Sequence, residues 1–100
     1  MKTEISIYDF FKLYQSNNNL NIIDIRDEYK YDEYHIKGTI NYPCYKLLKS
    51  PYNTLNKKET YYIIDYNNEA AKEICDFLNN EGFNTIRVFG GIKHWKGPFE

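Results

Sequence analysis

Short apolar runs rich in β-branched residues recur along this chain of 100 residues, and they constrain its fold more than any other feature. The runs are LNIIDI at 20–25, TYYIID at 60–65 and NTIRVF at 84–89. LNIIDI is suited to a strand that is buried on both faces of a sheet, TYYIID is predicted as the next buried strand, and NTIRVF is predicted as the strand that follows. Thr39 to Tyr42 adds a shorter strand, with Pro43 at its exit. Because segments with helical spacing separate these strands, the sequence predicts an α/β domain with a mostly parallel sheet.

Two amphipathic helices are predicted between the strands. The first has Ser6 as its N-cap, and its apolar positions are Ile7, Phe10, Phe11 and Tyr14. The second runs from about Glu69 to Asn80 and stops before Gly82. Its apolar face consists of Ala71, Ile74, Cys75 and Leu78. Shorter helical pieces are predicted in DEYKYDEY, CYKLLKS and IKHWKG, and an irregular connection in SPYNTLNKKE.

Composition narrows the class of protein. The length predicts a single domain over residues 1–100. A net charge of −1 without a basic block disfavours nucleic acid as a partner. No apolar run reaches the roughly 20 residues that span a bilayer, so no membrane is expected and the cytoplasm is the expected location. Cys44 and Cys75 are too few for a disulfide framework or a zinc site, and no metal is expected.

The segment that begins at the end of TYYIID lies where an α/β domain places its ligand. In open parallel sheets, ligands bind beyond the carboxyl ends of the strands and beside helix N-termini. Two carboxylates are available there, but no cysteine, serine, lysine or arginine that could act as a nucleophile or bind an anion. The residues of this segment are Asp65, Tyr66, Asn67, Asn68, Glu69 and Ala70.

Four segments with recognisable motifs follow one another along the chain. NIIDIRDEYKYDEYHIKGTINYP joins a strand ending in Asp-x-Arg to a His-Ile-x-Gly turn, and YYIID enters the Asp65 loop. EAAKEICDFLNNEGFNTIRVF holds a helix, a Gly-Phe turn and a strand, and GGIKHW matches Gly-Gly-x-x-x-Trp. In this order they resemble the rhodanese-like family of single-domain sulfurtransferases. The resemblance implies a mostly parallel sheet of about five strands with helices on both faces.

The resemblance breaks down in the loop. Active members carry a cysteine at the end of this strand, an arginine after four intervening residues, and then a serine or threonine. An alignment without gaps places Asp65 at the cysteine and Ala70 at the arginine. The family's reaction needs a thiolate that takes the outer sulfur of thiosulfate and carries it as a persulfide, which a carboxylate does not hold. The resemblance therefore implies a degenerate loop without catalytic residues, and no cofactor.

A structural role for Asp65 follows from the same comparison. In the family loop, converging backbone N–H groups and the helix N-terminus stabilise the anionic sulfur. We expect the Asp65 carboxylate to accept these N–H groups itself and to hold the loop, with a stabilisation of about 1 kcal/mol. Glu69, at the helix start, is expected to add negative charge that repels an anionic substrate.

Catalytic alternatives exist for Asp65 and Cys44. Asp65 as a nucleophile that forms an acyl phosphate is chemically feasible, although no lysine or metal-ligand cluster accompanies it in the sequence. Cys44 follows Pro43 near the rim of the sheet, so it is either a displaced sulfur acceptor or a half-buried small apolar residue. Cys75 lies on the apolar face of its helix and is expected in the core.

We expect a structural role for the charged residues and the histidines of these motifs. Asp24 and Arg26 are expected to stabilise their turn through a hydrogen bond and an ion pair, with substrate binding as the alternative. His35 is expected to donate to a backbone carbonyl rather than to act as an acid or base. His94 is expected to be a surface or packing residue.

Glycines and one tryptophan complete the motifs. Gly38 marks a turn, and Gly90 and Gly91 are expected to supply positive φ angles, because their pattern is too short to cradle a phosphate. Trp95 is expected to anchor the last helical segment.

Tyrosines are frequent in the middle of the chain: Tyr29, Tyr31, Tyr34, Tyr42, Tyr45 and Tyr52. If exposed together, they form an aromatic patch typical of interfaces, which makes another protein the expected partner. The alternative is a codon bias that replaces other large residues with tyrosine. The predicted function is a non-catalytic binding or regulatory module of undetermined oligomeric state. The alternative is a sulfurtransferase-related enzyme that uses another nucleophile such as Cys44.

Overall fold

The helices and strands alternate along the chain. The computed structural model describes residues 3–17, 19–66 and 70–100. Its elements are β1 (Glu4–Ser6), α1 (Ile7–Ser16), β2 (Asn21–Asp24), α2 (Glu28–Glu33), β3 (Ile40–Asn41), α3 (Cys44–Lys49), β4 (Thr60–Ile64), α4 (Ala71–Asn80) and β5 (Asn84–Phe89). Single 3₁₀ turns at Pro51–Asn53 and Ile92–His94 follow α3 and β5. No helix of the described residues is long and apolar enough to cross a bilayer.

The strands form a five-stranded sheet in the order β1-β5-β4-β2-β3. All pairings between these described strands are parallel, so the predicted α/β class with a parallel sheet is confirmed. In the central strand β4, Ile63 lies opposite Ile23 of β2 and Arg87 of β5. The edge strand β1 was not predicted individually. Its three residues are too few to show a pattern, and its parallel pairing with β5, in which Ile5 lies opposite Val88, defines it.

The caps at the helix ends follow the sequence signals. The Ser6 side chain accepts a hydrogen bond from the Asp9 N–H at 3.1 Å, which confirms the predicted N-cap of α1. After α4, the Phe83 N–H donates to the Leu78 carbonyl at 3.0 Å, while Gly82 has a φ of +94°. The predicted start of this helix at Glu69 lies outside the described residues.

Apolar side chains fill both faces of the sheet. Ile63 and Ile64 are adjacent in β4 and therefore point to opposite faces, and both are fully buried. Ile63 packs in a cluster with the apolar face of α4, including Leu78. Ile64 packs with Phe10 of α1 in the second cluster. Helices therefore cover both faces, as expected.

Trp95 joins the end of the chain to α1. Its ring lies in edge contact with Phe11 and Tyr14, with ring centroids 5.1 Å and 4.9 Å away. Its indole N–H donates to the Pro98 carbonyl at 3.1 Å. The tryptophan thus satisfies its polar atom while it packs the segment after β5 against the helix.

A buried ion pair stabilises the turn after β2. The Asp24 side chain is fully buried and the Arg26 side chain is only 4% exposed. The Arg26 guanidinium donates to both Asp24 carboxylate oxygens, from Nε to Oδ1 at 3.1 Å and from Nη2 to Oδ2 at 2.9 Å. Nη2 also donates to the Tyr34 carbonyl at 2.8 Å, which connects this turn to the end of α2. The Arg26 guanidinium therefore donates to acceptors of its own chain.

Replacing Arg26 tests how much the fold depends on this pair. Arg26→Ala leaves the Asp24 carboxylate buried and without its partner, so we expect the free energy of unfolding to fall by about 3–5 kcal/mol. Urea unfolding followed by circular dichroism measures the change. The control is Lys72→Ala, which breaks the exposed Lys72–Asp76 pair and should cost far less. Equal losses in the two variants would show that the buried pair is not a principal support.

Candidate functional site

A cavity of about 530 Å³ opens where β2 and β4 end side by side. Its volume lies within the range of small-ligand sites, and its position is the one that parallel sheets use for ligands. The lining residues are Ile25, Arg26, Asp27, Tyr29, Lys30, Glu33, Tyr34, Cys44, Asp65, Tyr66 and Ala70. One wall therefore comes from the β2 turn and α2, and the other from Cys44 and the loop after β4.

The Asp65 carboxylate binds the backbone of its own loop. One oxygen accepts the N–H of Tyr66 at 2.7 Å, and the other accepts the N–H of Ala70 at 3.0 Å. The Ala70 N–H belongs to the start of α4, where backbone donors lack intrahelical acceptors. The carboxylate therefore connects the beginning and the end of the loop, as its expected role requires. Asn67, Asn68 and Glu69 lie outside the described residues. The expected repulsion of an anionic substrate by Glu69 therefore stays a prediction.

The turn after β5 holds the loop from its other side. The Ile92 N–H donates to the Asp65 carbonyl at 2.9 Å, and the Lys93 N–H donates to the Tyr66 carbonyl at 3.0 Å. Gly91 has a φ of +65°, and a Cβ there would lie 2.3 Å from the Tyr66 carbonyl oxygen. Only glycine permits this approach of two backbones. The Gly-Gly turn therefore positions the Asp65 loop and does not itself line the cavity.

Cys44 lies in the same cavity as Asp65, half-buried at the start of α3. Its thiol lies 3.5 Å from the Ile25 carbonyl oxygen, to which it donates. Burial raises the pKa of the thiol, and the negative charge of Asp65 raises it further. Less thiolate is therefore present at neutral pH than for an ordinary cysteine, so the environment does not activate this sulfur. Cys75 is buried in the core, where desolvation raises its pKa to about 11.

The histidines lie outside the cavity lining. His35 Nδ1 is 2.8 Å from the Tyr31 carbonyl oxygen, and because a carbonyl can only accept, Nδ1 carries the proton. The His35 ring stacks on Tyr31 with centroids 3.8 Å apart, and its Nε2 lies 3.5 Å from the Glu100 carboxylate. Gly38, in the turn that follows, has a φ of +93°. His94 is exposed beside Tyr8, with ring centroids 6.5 Å apart.

Only some of the tyrosines are exposed. The Tyr31 hydroxyl donates to the Thr39 carbonyl at 2.6 Å, and Tyr42 packs against the core, so both are half-buried. The exposed Tyr52 donates to Glu81. Tyr66 was not predicted as part of the group of tyrosines, although it lines the cavity. Its position two residues after the end of β4 was the available signal, since neighbouring parallel strands end at the same edge.

The chain belongs to the rhodanese-like domain family, whose model matches residues 9–98. It is similar to two Bacillus subtilis proteins. One is YrkF, provisionally named a sulfur carrier protein, at 31% identity over 97% of this chain and 52% of YrkF. The other is YtwF, provisionally named a sulfurtransferase, at 26% identity over 94% of this chain and 90% of YtwF. A relative from Porphyra purpurea, named as a probable molybdopterin-synthase adenylyltransferase, is 30% identical over 84% of this chain and 22% of its own length.

Solved structures share the fold. The protein SSP1007 from Staphylococcus saprophyticus matches with a TM-score of 0.85 at 25% identity, over 95% of this chain and 93% of its own. The rhodanese-like domain of Alr3790 from Anabaena matches with a TM-score of 0.86 at 24% identity, over 100% of this chain and 80% of its own. The chain spans about half of YrkF and about a fifth of the Porphyra relative. The resemblance inferred from the four motifs is therefore confirmed.

The role of Asp65 in the loop can be measured as stability. Asp65→Asn keeps the shape of the side chain but replaces one accepting oxygen with an amide that cannot accept, so we expect a loss of roughly 1 kcal/mol in the free energy of unfolding. Urea unfolding gives the value, and amide exchange at Ala70 should accelerate because its acceptor is removed. Asp76→Asn, which changes an exposed carboxylate on α4, is the matched control. Unchanged stability together with unchanged exchange would refute the role.

Proposed function

We propose that this rhodanese-like domain is a non-catalytic binding or regulatory module that acts on another protein in the cytoplasm. The single observation that carries the proposal is the Asp65 carboxylate bound to the N–H groups of Tyr66 and Ala70. These donors serve a sulfur anion in active members of the family, and here the chain supplies its own anion. The two unpaired cysteines are compatible with a reducing compartment.

The charges at the site also disfavour an anionic substrate. Ala70, at the position of the family's arginine, offers no charge to thiosulfate. Arg26 lies in the cavity wall, but its guanidinium is paired with Asp24. Thiosulfate would therefore meet the Asp65 carboxylate at close range, with Lys30 as the remaining described lining cation to offset the repulsion.

Cys44 supports a second candidate function, sulfur transfer by a displaced nucleophile. It lines the same cavity as Asp65, and YrkF and YtwF carry names that refer to sulfur handling. In such a reaction the thiolate attacks the outer sulfur of thiosulfate, a sulfur–sulfur bond forms on Cys44, and sulfite leaves with the electron pair of the broken bond. The raised pKa of the thiol disfavours this step, because it lowers the thiolate fraction at neutral pH.

Mass spectrometry separates the two functions. We expect wild-type protein incubated with thiosulfate, and in a second arm with a small-molecule persulfide donor, to show no stoichiometric gain of one sulfur atom on Cys44. The reason is the low thiolate fraction beside the Asp65 carboxylate. Peptide mapping locates any adduct on Cys44 or Cys75.

Cys44→Ser is the matched control, since it removes the half-buried thiol while Cys75 stays in the core. A stoichiometric, cyanide-labile adduct that is present in the wild type and lost in Cys44→Ser would overturn the non-catalytic function. It would establish Cys44 as the sulfur acceptor.

A further inference from the structure

Three tyrosines line the cavity beside the Asp65 loop. Tyr29 and Tyr34 belong to α2 and its C-cap, and Tyr66 belongs to the opposite wall. Their exposed fractions are 61%, 39% and 43%, so all three are accessible from solvent. Aromatic faces carry partial negative charge and attract cations.

Two cationic side chains of the protein already lie near two of these rings. The Arg26 guanidinium carbon lies 5.3 Å from the centroid of Tyr34, and the Lys30 ammonium lies 5.9 Å from that of Tyr29. Both distances fall within the range of cation–π attraction. The rings at this mouth are therefore placed so that positive groups approach their faces.

The charges that line the cavity sum to a negative value. Three carboxylates lie in the lining, on Asp27, Glu33 and Asp65, against the cations of Arg26 and Lys30. The charge of Arg26 is balanced by Asp24, which is fully buried behind it. Among the described lining residues, Lys30 alone therefore opposes the three carboxylates.

The carboxylates of the cavity also act on the Cys44 thiol. After burial, the largest influence that raises its pKa is the charge of Asp65, and Asp27 raises the pKa as well. Negative charge disfavours a thiolate for the same reason that it favours a cation. The cavity that holds an anion in active relatives therefore has the opposite electrostatic preference here.

We propose that this cavity binds a cationic side chain, the guanidinium of arginine or the ammonium of lysine, presented by an exposed segment of a partner protein. The proposal rests on the non-catalytic binding function and names its ligand. The charge selects the cation, and the tyrosine rings provide the faces against which its alkyl stem and head group pack. At about 530 Å³, the cavity also accommodates the neighbouring atoms of the segment that carries the side chain.

A titration followed by nuclear magnetic resonance tests the ligand. The probe is a short peptide, capped at both ends, with arginine at its centre, added to ¹⁵N-labelled protein at low ionic strength. We expect concentration-dependent shifts of the amide signals of Tyr29, Lys30 and Tyr66, and weaker binding as salt is added. Matched peptides carry lysine, citrulline or glutamate at the centre. The lysine peptide should shift the same signals, while the citrulline and glutamate peptides should not.

Variants of α2 locate the charge that matters. Glu33→Gln removes a carboxylate of the cavity wall, and we expect the arginine peptide to bind about two- to fivefold more weakly. Asp32→Asn is the matched control, since it removes a charge of the same sign from the same helix outside the cavity lining and should leave binding nearly unchanged. Neither residue is buried, so both variants are expected to fold.

The outcomes separate this proposal from the function on which it rests. Equal binding of the arginine and citrulline peptides, stronger binding of the glutamate peptide, or no shifts at millimolar peptide would overturn cation recognition. Equal shifts by free arginine and the peptide would identify a small-molecule site and overturn the partner segment as the ligand. None of these results affects the non-catalytic function, which fails only if Cys44 gains the cyanide-labile sulfur.

Discussion

The bond between the Asp65 carboxylate and the backbone of its own loop determines what this site can do. A carboxylate that accepts from Tyr66 and Ala70 fixes both ends of the loop. The turn at Gly91 holds the loop carbonyls from the opposite side. Because the negative charge is covalently attached, the loop needs no external anion, and the charge acts on everything else in the cavity, including the Cys44 thiol.

Much of this architecture could be predicted from the sequence. Residues with strong local signals gave correct elements, since Ser6 caps α1 and the apolar runs at 20–25, 60–65 and 84–89 contain β2, β4 and β5. The strand β1 could not be found locally, because three residues carry no period and their pairing with β5 is a contact between distant parts of the chain. The exposure of individual tyrosines could not be predicted from the sequence either. Tyr31 is half-buried by a hydrogen bond to Thr39 and by stacking on His35.

The lining of the cavity could not be predicted from any single motif. Asp65 is the residue at the family's nucleophile position, but its neighbours in the cavity come from the turn after β2, from α2 and from α3, which are distant in sequence. Parallel pairing of β2 with β4 brings these segments to one edge. Membership of the rhodanese-like family fixes that geometry, whereas the side chains placed on it decide the chemistry. The proposed binding of a cation in place of sulfur transfer rests on those side chains.

Introducing the family's cysteine and arginine into the loop tests the central claim most directly. If the loop keeps the family's anion cradle and lacks only its nucleophile, Asp65→Cys with Ala70→Arg, incubated with thiosulfate, should gain one sulfur atom on residue 65, as read by peptide mass spectrometry. Wild-type protein treated in parallel should gain none. A cyanide-labile sulfur on the wild-type protein would contradict the account. So would a folded double variant that stays unmodified, because the loop would then not be a preserved cradle.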